Sequence, residues 1–506
     1  MKQTLSLILL CALLLSLFSA CASGTGGSEE TAPGVSGGAS SSVTPADGSG
    51  AEAEEQIRQY PYYDGRDFEG KDFHFINAPR LYWDMFTSMT ADEMNGEVIN
   101  DAVFERNSRI CGKLNCSLSE EGFPISSGEF WDELTPLMLA GDPKYDIVCL
   151  PFRYTAASVT SGYILNLDEL ASIRLDENYW NQTILDATSL NHRHYIASSP
   201  AHFMSVDGMW CLYFNQVILN NLGLAFPYDL VREGKWTLDQ LETYIQASMN
   251  LGGDTVFAPP YEGRAQWNPT GSSVYGFTSY SSVFQKLLYG MKAHMIDKND
   301  EDQMEFAASS EHFITCCTKL AEFFSVPGQY LDANDDDGYS YNLNIFPSSR
   351  AAFLGGELKD AQVFREMEDE FGVLPLPKYD ESQDQYFTTL DFQMMTFSIP
   401  YTQPAPEDAA LLLDALSFET NENILDLFLG NRIEQKGLRN ADSIEMLHII
   451  YEGLGIDLGE AFDLFGTVAT DIKHNIPQGI TEFASLIERN KKPIVKQMNK
   501  LQENFR

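Results

Sequence analysis

The chain changes composition abruptly at Tyr60. No aromatic residue occurs between Phe18 and Tyr60, and residues 22–59 are dominated by Gly, Ser, Ala, Glu and Pro. A segment of this composition cannot bury enough apolar surface to offset the entropy that ordering would cost it. We therefore predict a flexible tether over residues 21–60. Aromatic residues are frequent from Tyr60 onward, so we expect the folded part to begin there.

The part of the chain after the tether is too long for one hydrophobic core. It comprises residues 61–506, whereas single cores stop growing at about 250–300 residues. We therefore predict two lobes of about 200 residues each. No stretch in this part approaches about 18 uninterrupted apolar residues, so the sequence predicts no membrane-spanning helix there.

The N-terminus carries the features of an export signal. Lys2 gives a charged start, Leu5 to Phe18 form an apolar run too short to span a bilayer, and two small residues then precede Cys21. This arrangement resembles a bacterial lipoprotein signal, although Phe18 stands where leucine is usual. The resemblance implies removal of residues 1–20, acylation of Cys21 and attachment to the extracellular face of the cell membrane. An ordinary cleaved secretion signal is the alternative interpretation.

Charge and cysteine spacing exclude two classes of function. The formal net charge is −40, and so acidic a protein repels phosphate backbones, which argues against nucleic-acid binding. The eight cysteines include no CxxC pair and match no zinc pattern. We interpret most of those beyond Cys21 as buried small hydrophobes. For Cys111 and Cys116, the alternative interpretation is a disulfide bond that closes a short loop.

Apolar periodicity predicts strands that alternate with helices. Phe73 and Phe75 alternate with polar neighbours, which predicts an opening strand that ends near Asn77. The clearest helix spans 237–249, where Thr237 and Gln240 form a capping box. Further strands are predicted at 145–150, 371–376 and 392–399, and further helices at 99–114 and from residue 407 through a largely helical C-terminal part. Such alternation indicates an α/β fold.

Five local motifs occur in a fixed order along the chain. They are Gly96–Val103 with Arg106-Asn107, Leu212–Asn215 with Asn221–Leu224, Lys235–Leu241, Arg350–Phe353, and Phe371–Pro377 with Phe397–Pro400. Together they resemble the extracellular solute-binding proteins of ABC importers, in the type-II class that takes up sugars. The first motif resembles a lipoprotein branch of that family found in Gram-positive bacteria. One departure is Ser349, which replaces a glycine of the family pattern.

The resemblance implies a two-lobed periplasmic-binding-protein-like fold of class II, with a hinge and a helical C-terminal tail. Lobe 1 is then expected to hold residues 61–200 and 388–435, and lobe 2 residues 201–387 and 436–506. Hinge closure would bury the ligand in the cleft between the lobes. The resemblance also implies a carbohydrate ligand (an oligosaccharide), separate ABC permease subunits in the membrane, no catalysed reaction and no cofactor. We expect a monomer.

Ligand-binding candidates follow the predicted strands or lie at the predicted crossings between the lobes. Ligands of open α/β sheets bind beyond the carboxyl ends of strands, and proteins bind sugars with flat aromatic rings and charged hydrogen-bonding groups. Two candidates follow the first strand, two follow the strand near Tyr145, two lie at the first crossing and two at a later one. In that order they are Tyr82 and Trp83, Arg153 and Tyr154, Asp207 and Trp210, and Asp391 and Phe392. For each of them, a packing or surface role is the alternative.

We find no catalytic or metal-binding motif in the sequence. It contains neither HExxH nor GxSxG. Asp332, Asn334 and Asp336 resemble a calcium loop, but Leu343 occupies the position of its closing glutamate, so we expect no metal site. Two other functions stay open. One is a surface-tethered glycoside hydrolase, which needs only two carboxylates about 5–9 Å apart. The other is a ligand-sensing binding protein for a membrane receptor.

Overall fold

The computed structural model describes residues 57–253, 256–257, 265–332, 342–434 and 441–505. The export signal, Cys21 and nearly all of the predicted tether lie outside these residues, as does most of the calcium-like segment after Asp332. Tyr60, the last residue of the predicted tether, is 2% exposed, and its hydroxyl donates a hydrogen bond to Asp414 at 2.6 Å. The folded part therefore already includes Tyr60, because a tyrosine that buries its ring and finds an acceptor is ordered by both contacts.

A four-stranded sheet forms the core of one lobe. In spatial order its strands are Met395–Ser398, Ile147–Pro151, Lys71–Asn77 and Cys116–Gly122. The first two strands are antiparallel, and the other neighbours are parallel. Phe73 and Phe75 are fully buried, because alternate residues of a strand face the same side. The predicted opening strand is therefore confirmed, and so are the strands near Tyr145 and Phe397.

Helices make the crossovers that parallel strands require. Helix Val98–Leu114 leads from the opening strand to the edge strand, and helix Glu129–Ala140 leads from there to strand Ile147–Pro151. The first helix buries Ile99, Val103, Ile110 and Leu114, which is the face predicted from the sequence. Helix Phe152–Thr160 and the shorter helices Gln182–Thr188 and Met204–Asp207 follow before the chain reaches the second sheet.

Arg106, which belongs to the first sequence motif, has a structural role. Its guanidinium is fully buried and donates hydrogen bonds to the carbonyl of Met89 at 3.1 Å and to Thr420 at 2.8 Å. Asn107 accepts from the same guanidinium and donates to the same carbonyl. Burial lowers the pKa of Arg106 to about 10. The motif therefore joins three segments of the core that are distant in sequence.

A five-stranded sheet forms the core of the other lobe. In spatial order its strands are Tyr330–Asp332, Tyr275–Ser279, Ala351–Glu357, Trp210–Asn215 and Phe371–Leu374. Strand Trp210–Asn215 is antiparallel to both of its neighbours, and the remaining pairs are parallel. Every residue of Ala351–Glu357 and Trp210–Asn215 is buried, which is typical of strands covered on both faces.

Helix Leu238–Ser248 covers one face of this sheet and confirms the clearest helix of the sequence. Thr237 is its N-cap, and the threonine side chain accepts a hydrogen bond from the backbone N–H of Gln240. The helix approaches the sheet at Gly276, where an added Cβ would lie 2.3 Å from Cγ2 of Ile245. A larger residue at this position would force the helix and the sheet apart.

The described C-terminal part is largely helical, as predicted. Its helices are Pro406–Asn423, Leu425–Ile433, Ala441–Glu452, Leu458–Ala461, Thr467–Asn475 and Phe483–Gln502. The helix that begins at Pro406 packs against Val98–Leu114 beside the four-stranded sheet, whereas the helix that begins at Ala441 packs on strand Phe371–Leu374 of the other sheet. The last long helix contacts helix Glu311–Phe324. Among the described residues, no helix is long and apolar enough to cross a bilayer.

Within the described residues, the chain passes between the two sheets three times. Ala197 still pairs with Phe397 of the four-stranded sheet, and Trp210 begins a strand of the five-stranded sheet. The chain returns between Leu374 and Met395. It leaves again after the helix that ends at Asn423. The numerical boundaries of the two lobes stay predictions.

The six described cysteines carry no disulfide bond. Cys149, Cys211, Cys316 and Cys317 are buried, which agrees with their interpretation as small hydrophobes. Cys111 and Cys116 are half-buried, and their thiols are hydrogen-bonded to each other. That hydrogen bond lowers the pKa of Cys111 and raises that of Cys116.

Candidate functional site

A cleft of about 830 Å³ lies between the two sheets. Its volume is within the range of about 300–1,000 Å³ that is usual for small-molecule sites. One wall comes from the segments after strand Lys71–Asn77 and before strand Met395–Ser398, and the opposite wall comes from the five-stranded sheet. Residues between Gly459 and Lys473 close one side. A ligand in this cleft would therefore contact both lobes.

Trp83 and Asp84 form a strained corner of the first wall. Their φ angles are +52° and +62°, which is the left-handed region that bulky residues rarely adopt. Both residues line the cleft. Tyr82 lies behind Trp83 with its ring centroid 4.5 Å away, and its hydroxyl donates to Ser126 at 2.7 Å. The tyrosine therefore holds the indole in place and does not itself line the cleft.

Trp210 lies in the opposite wall and is 1% exposed. Its ring packs edge-on against Tyr280, with the centroids 5.2 Å apart, and the ammonium of Lys286 lies 5.9 Å from the indole. The indole Nε1 is buried and has no hydrogen-bond partner within the described chain. A buried donor without an acceptor is costly, and Trp210 is one of the residues that line the cleft.

Asp391 and Phe392 line the cleft, and Arg153 and Tyr154 lie behind them. The guanidinium of Arg153 lies 5.6 Å from the Phe392 ring and 5.2 Å from the Tyr154 ring. Tyr154 in turn stacks on Trp131 at 4.9 Å. Arg153 and Tyr154 are therefore not among the residues that line the cleft. They support the segment that carries Asp391 and Phe392.

The structure places Asp207 away from the cleft lining. Its carboxylate is fully buried and accepts two hydrogen bonds from Arg432, at 2.6 and 2.9 Å. Burial raises the pKa of Asp207, and the guanidinium of Arg432 opposes that shift. The carboxylate joins two parts of the chain that are distant in sequence.

Sequence reasoning missed a charged group at the end of strand Ala351–Glu357. Glu357, Lys359 and Asp360 all line the cleft. Burial raises the pKa of Glu357 to about 7, Asp360 and Asp391 add to the shift, and Lys359 opposes it. Burial likewise raises the pKa of Asp360 to about 6. Trp83 was selected because it follows a strand. Lys359 and Asp360 follow strand Ala351–Glu357 in the same way, so the same criterion would have selected them.

A second missed group belongs to the C-terminal helices. Glu460, Phe465 and Lys473 line the cleft. Burial raises the pKa of Glu460 to about 7, and the ammonium of Lys286, which binds its carboxylate, opposes the shift. Burial lowers the pKa of Lys473. No sequence signal places these residues in the cleft, because only the tertiary fold brings the C-terminal part there.

Metal coordination has no support in the described residues. They contain no group of three or more His, Cys, Asp or Glu side chains arranged to hold a metal ion. The carboxylates of the cleft interact instead with lysines and backbone N–H groups: Lys359 lies 3.2 Å from Glu357, and Asp391 accepts from the N–H of Gln393 at 3.0 Å. This arrangement can orient a polar ligand through charged hydrogen bonds.

Known proteins resemble this chain in structure. No protein-family model matches it, and no curated protein matches it. An ABC substrate-binding protein from Listeria monocytogenes in complex with cycloalternan has a TM-score of 0.54 at 13% identity, covering 85% of this chain and 99% of that one. A cyclo/maltodextrin-binding protein complexed with maltotetraose has a TM-score of 0.53 at 15% identity, covering 84% and 97%.

A third similar structure is the maltose-binding periplasmic protein MalE from Listeria monocytogenes in complex with maltose. Its TM-score is 0.53 at 14% identity, and the match covers 85% of this chain and 98% of that one. Similarity at these identities shows the fold, and it extends over nearly the whole length of each neighbour. The chain therefore has the two-lobed α/β fold of the substrate-binding proteins of ABC transporters, which is the fold that its sequence motifs predict.

Proposed function

We propose that this protein is the extracellular substrate-binding component of an ABC transporter and that it captures an oligosaccharide for import. The observation that carries the proposal is the cleft of about 830 Å³ with one wall from each lobe. A ligand that contacts both walls stabilises the closed arrangement of the lobes relative to the open one. Closure then gives the transporter a shape that differs from the empty protein.

The chemistry of the walls favours a carbohydrate. Trp83 and Phe392 are half-buried rings on the first wall, and Trp210 lies on the second. Such rings can stack against the apolar C–H faces of a sugar. Carboxylates lie among these rings and can accept hydrogen bonds from sugar hydroxyls. Three proteins of the same fold were solved with cycloalternan, maltotetraose and maltose, which supports a sugar as the ligand class.

The predicted site residues fall into two groups in this proposal. Trp83, Trp210, Asp391 and Phe392 contact the ligand, because they line the cleft. The others act through neighbours: Tyr82, Arg153 and Tyr154 support the first wall, and Asp207 joins the segments that cross between the lobes. Glu357, Asp360 and Glu460 complete the set of polar ligand contacts.

The cellular context of the proposal comes from the N-terminal sequence. Acylation of Cys21 anchors the protein to the outer face of the membrane of a Gram-positive bacterium, and the tether lets the binding domain reach separate permease subunits. The protein acts as a monomer, requires no cofactor and binds no nucleic acid. It performs no reaction on its ligand.

A thermal-shift screen against a glycan library tests the ligand class. The chain from residue 22 onward is used, so that Tyr60 and its contacts are retained. A ligand that binds only the native state raises the melting temperature, by an amount that grows with concentration above Kd. We expect an oligosaccharide to do so and to be recovered unchanged after prolonged incubation. Hydrolysis of that oligosaccharide would identify a glycoside hydrolase, and failure of every glycan would overturn the proposal.

A second experiment separates import from sensing. Deletion of the gene is expected to abolish uptake of the radiolabelled oligosaccharide found in the screen, and expression of the wild-type chain is expected to restore it. Unchanged uptake together with a lost transcriptional response to the sugar would show that the protein reports its ligand to a membrane receptor.

A further inference from the structure

Two of the six described cysteines differ from the others in exposure. Cys111 and Cys116 are half-buried, whereas the other four are buried. A thiol reacts with an oxidant only where the reagent can reach it and where it can ionise. Burial raises the pKa of the other four thiols. Among the described cysteines, Cys111 and Cys116 are therefore the two that a reagent in solution can reach.

The backbone brings these two cysteines to the same turn. Cys111 lies in the last turn of helix Val98–Leu114, and Cys116 is the first residue of the edge strand Cys116–Gly122. Asn115, between them, has a φ angle of +52°, and its N–H donates a hydrogen bond back to the carbonyl of Cys111. A residue in this left-handed conformation ends a helix and turns the chain back on it. The strand therefore begins beside the last turn of the helix.

Main-chain hydrogen bonds outside the pair hold this turn in place. The N–H of Gly70 donates to the carbonyl of Asn115 at 2.8 Å. Cys116 is aligned with Lys71 in the parallel ladder of the four-stranded sheet. The position of Cys116 relative to the helix end is thus fixed by the sheet and does not depend on a bond between the two sulfurs.

The side chains of the pair are in contact. The two thiols are hydrogen-bonded to each other, which lowers the pKa of Cys111 and raises that of Cys116. Cys111 is therefore the thiol that more readily supplies a thiolate, the form that attacks a disulfide. Two thiols in contact on a fixed backbone have the proximity that disulfide geometry requires.

We propose that Cys111 and Cys116 are a reversible dithiol–disulfide site, whose oxidised form links the crossover helix to the edge strand. The oxidant is another disulfide, on a thiol oxidoreductase or a small molecule. The Cys111 thiolate attacks one sulfur of the oxidant and releases the other as a thiol, which leaves a mixed disulfide. The Cys116 thiolate then attacks Sγ of Cys111 and releases the second thiol. One disulfide and two thiols thus become one disulfide and two thiols.

The site joins a strand that has few other attachments. Strand Cys116–Gly122 pairs on one side only, and none of its residues is buried. Unpaired strand edges are prone to pairing with other chains, and a covalent link at the first residue limits the opening of this edge. Disulfides persist outside the cell, where the proposed function places the protein. The site itself does not depend on which ligand the cleft binds.

Peptide mapping tests the bond directly, because trypsin cleaves after Lys113, between the two cysteines. The chain from residue 22 onward, which lacks Cys11 and Cys21, is incubated natively with oxidised glutathione, then denatured, alkylated and digested without reductant. We expect peptides 110–113 and 114–144 to remain linked and to separate on reduction. Recovery of the two as separate peptides, with alkylated thiols or with one glutathione each, would overturn the proposal.

Thermal denaturation tests the effect of the bond on the fold. The oxidised chain should melt about 1–4 °C above the reduced chain, a small shift because the closed loop is short. Cys111→Ser/Cys116→Ser should melt at one temperature in both redox conditions, and Cys149→Ser, at a buried cysteine, should keep the wild-type difference between them. Equal melting temperatures of the linked and the reduced wild-type chain, or a redox difference that persists in the double variant, would overturn the structural role of the link.

Discussion

The carboxylate of Asp207 is held by the guanidinium of Arg432 through two hydrogen bonds, at 2.6 and 2.9 Å. Asp207 lies in the segment where the chain first passes between the sheets, and Arg432 lies where it passes the third time. Both side chains are buried, at 0% and 6% exposure of their residues. The pair therefore joins two of the three crossing segments in a region without bulk water.

Removal of one member of this pair should strongly destabilise the protein. Arg432→Met leaves the Asp207 carboxylate buried without its partner, and we expect a loss of about 3–5 kcal/mol in the free energy of unfolding. The double variant Asp207→Leu/Arg432→Met removes both charges and should recover most of that loss. Urea denaturation followed by circular dichroism measures both values.

The exposed pair Arg58–Glu422 is the matched control for this experiment. Arg58 is 72% exposed at its side chain, so Arg58→Met should cost less than about 1 kcal/mol. If Arg432→Met costs no more than the control, the buried pair does not have the structural role assigned to it.

Loss of an aromatic ring from the cleft should weaken ligand binding. Trp83→Ala is expected to cost about 1–3 kcal/mol of binding free energy if the indole stacks on the sugar, with little change in stability, because the ring is half-buried. Trp267→Ala is the same substitution at a half-buried indole that packs against Arg350 outside the cleft lining. Calorimetry should find wild-type affinity in that control, and equal losses in both variants would contradict the assignment.

Trp210 requires a subtler change because its indole is buried. Trp210→Ala would open a cavity and cost about 3–5 kcal/mol of stability, which would obscure any effect on binding. Trp210→Phe keeps an aromatic ring and removes the unpartnered Nε1–H. We expect binding to weaken by about 1 kcal/mol, the contribution of one hydrogen bond. Unchanged affinity in a folded Trp210→Phe variant would show that the N–H has no ligand acceptor.

The ligand-free protein should lose stability as the pH rises from about 5 to about 8. Burial raises the pKa of Glu357 and of Glu460 to about 7 from the ordinary value of 4.5 for a glutamate. In this range the unfolded chain has already lost these protons, so the folded state binds more of them. The stability contributed by the protonated carboxyls is therefore fully present below the pKa that these groups have in the unfolded chain. It is lost as the pH rises through the pKa that they have in the folded protein.

Glu357→Gln should reduce the loss in the free energy of unfolding between pH 5 and pH 8 by about 1–3 kcal/mol. Glu366→Gln is the matched control, because Glu366 is exposed and distant from the cleft lining. Denaturation series at several pH values give the slopes. A slope that Glu357→Gln leaves unaltered would mean that this carboxyl is already ionised at pH 5.

The proposed lipid anchor predicts where the protein is found. Cys21→Ser removes the residue proposed to be acylated, and we expect the variant to appear in the culture medium while the wild-type chain stays with the membrane fraction. Immunoblots of the two fractions measure the distribution, with a Cys11→Ser variant as the control within the signal. Equal release of wild-type and Cys21→Ser chains would favour an ordinary secretion signal.

Elements with a one-sided apolar pattern were predictable from the sequence. The alternation at Phe73 and Phe75 gave the opening strand, and the spacing from Ile99 to Leu114 gave its crossover helix. The edge strand Cys116–Gly122 was missed from the sequence. It pairs with another strand on one side only, and five of its seven residues are half-buried while the other two are exposed. Such a strand has no buried face to impose a pattern.

The candidate site was predictable only in part, for a similar reason. Position after a strand identified Trp83, and the expected crossings identified Trp210, Asp391 and Phe392, all of which line the cleft. The same logic selected Asp207, but sequence cannot show that Arg432 lies within hydrogen-bond distance of it. Glu460 and Lys473 reach the cleft through long-range packing of C-terminal helices, which leaves no local signature.

A crystal structure with an oligosaccharide from the glycan screen would show whether the cleft binds an intact sugar. We expect electron density for an intact sugar between Trp83 and Phe392 on one wall and Trp210 on the other, within the cleft of about 830 Å³. Sugar bound elsewhere on the surface, or a hydrolysed product in the cleft, would contradict it.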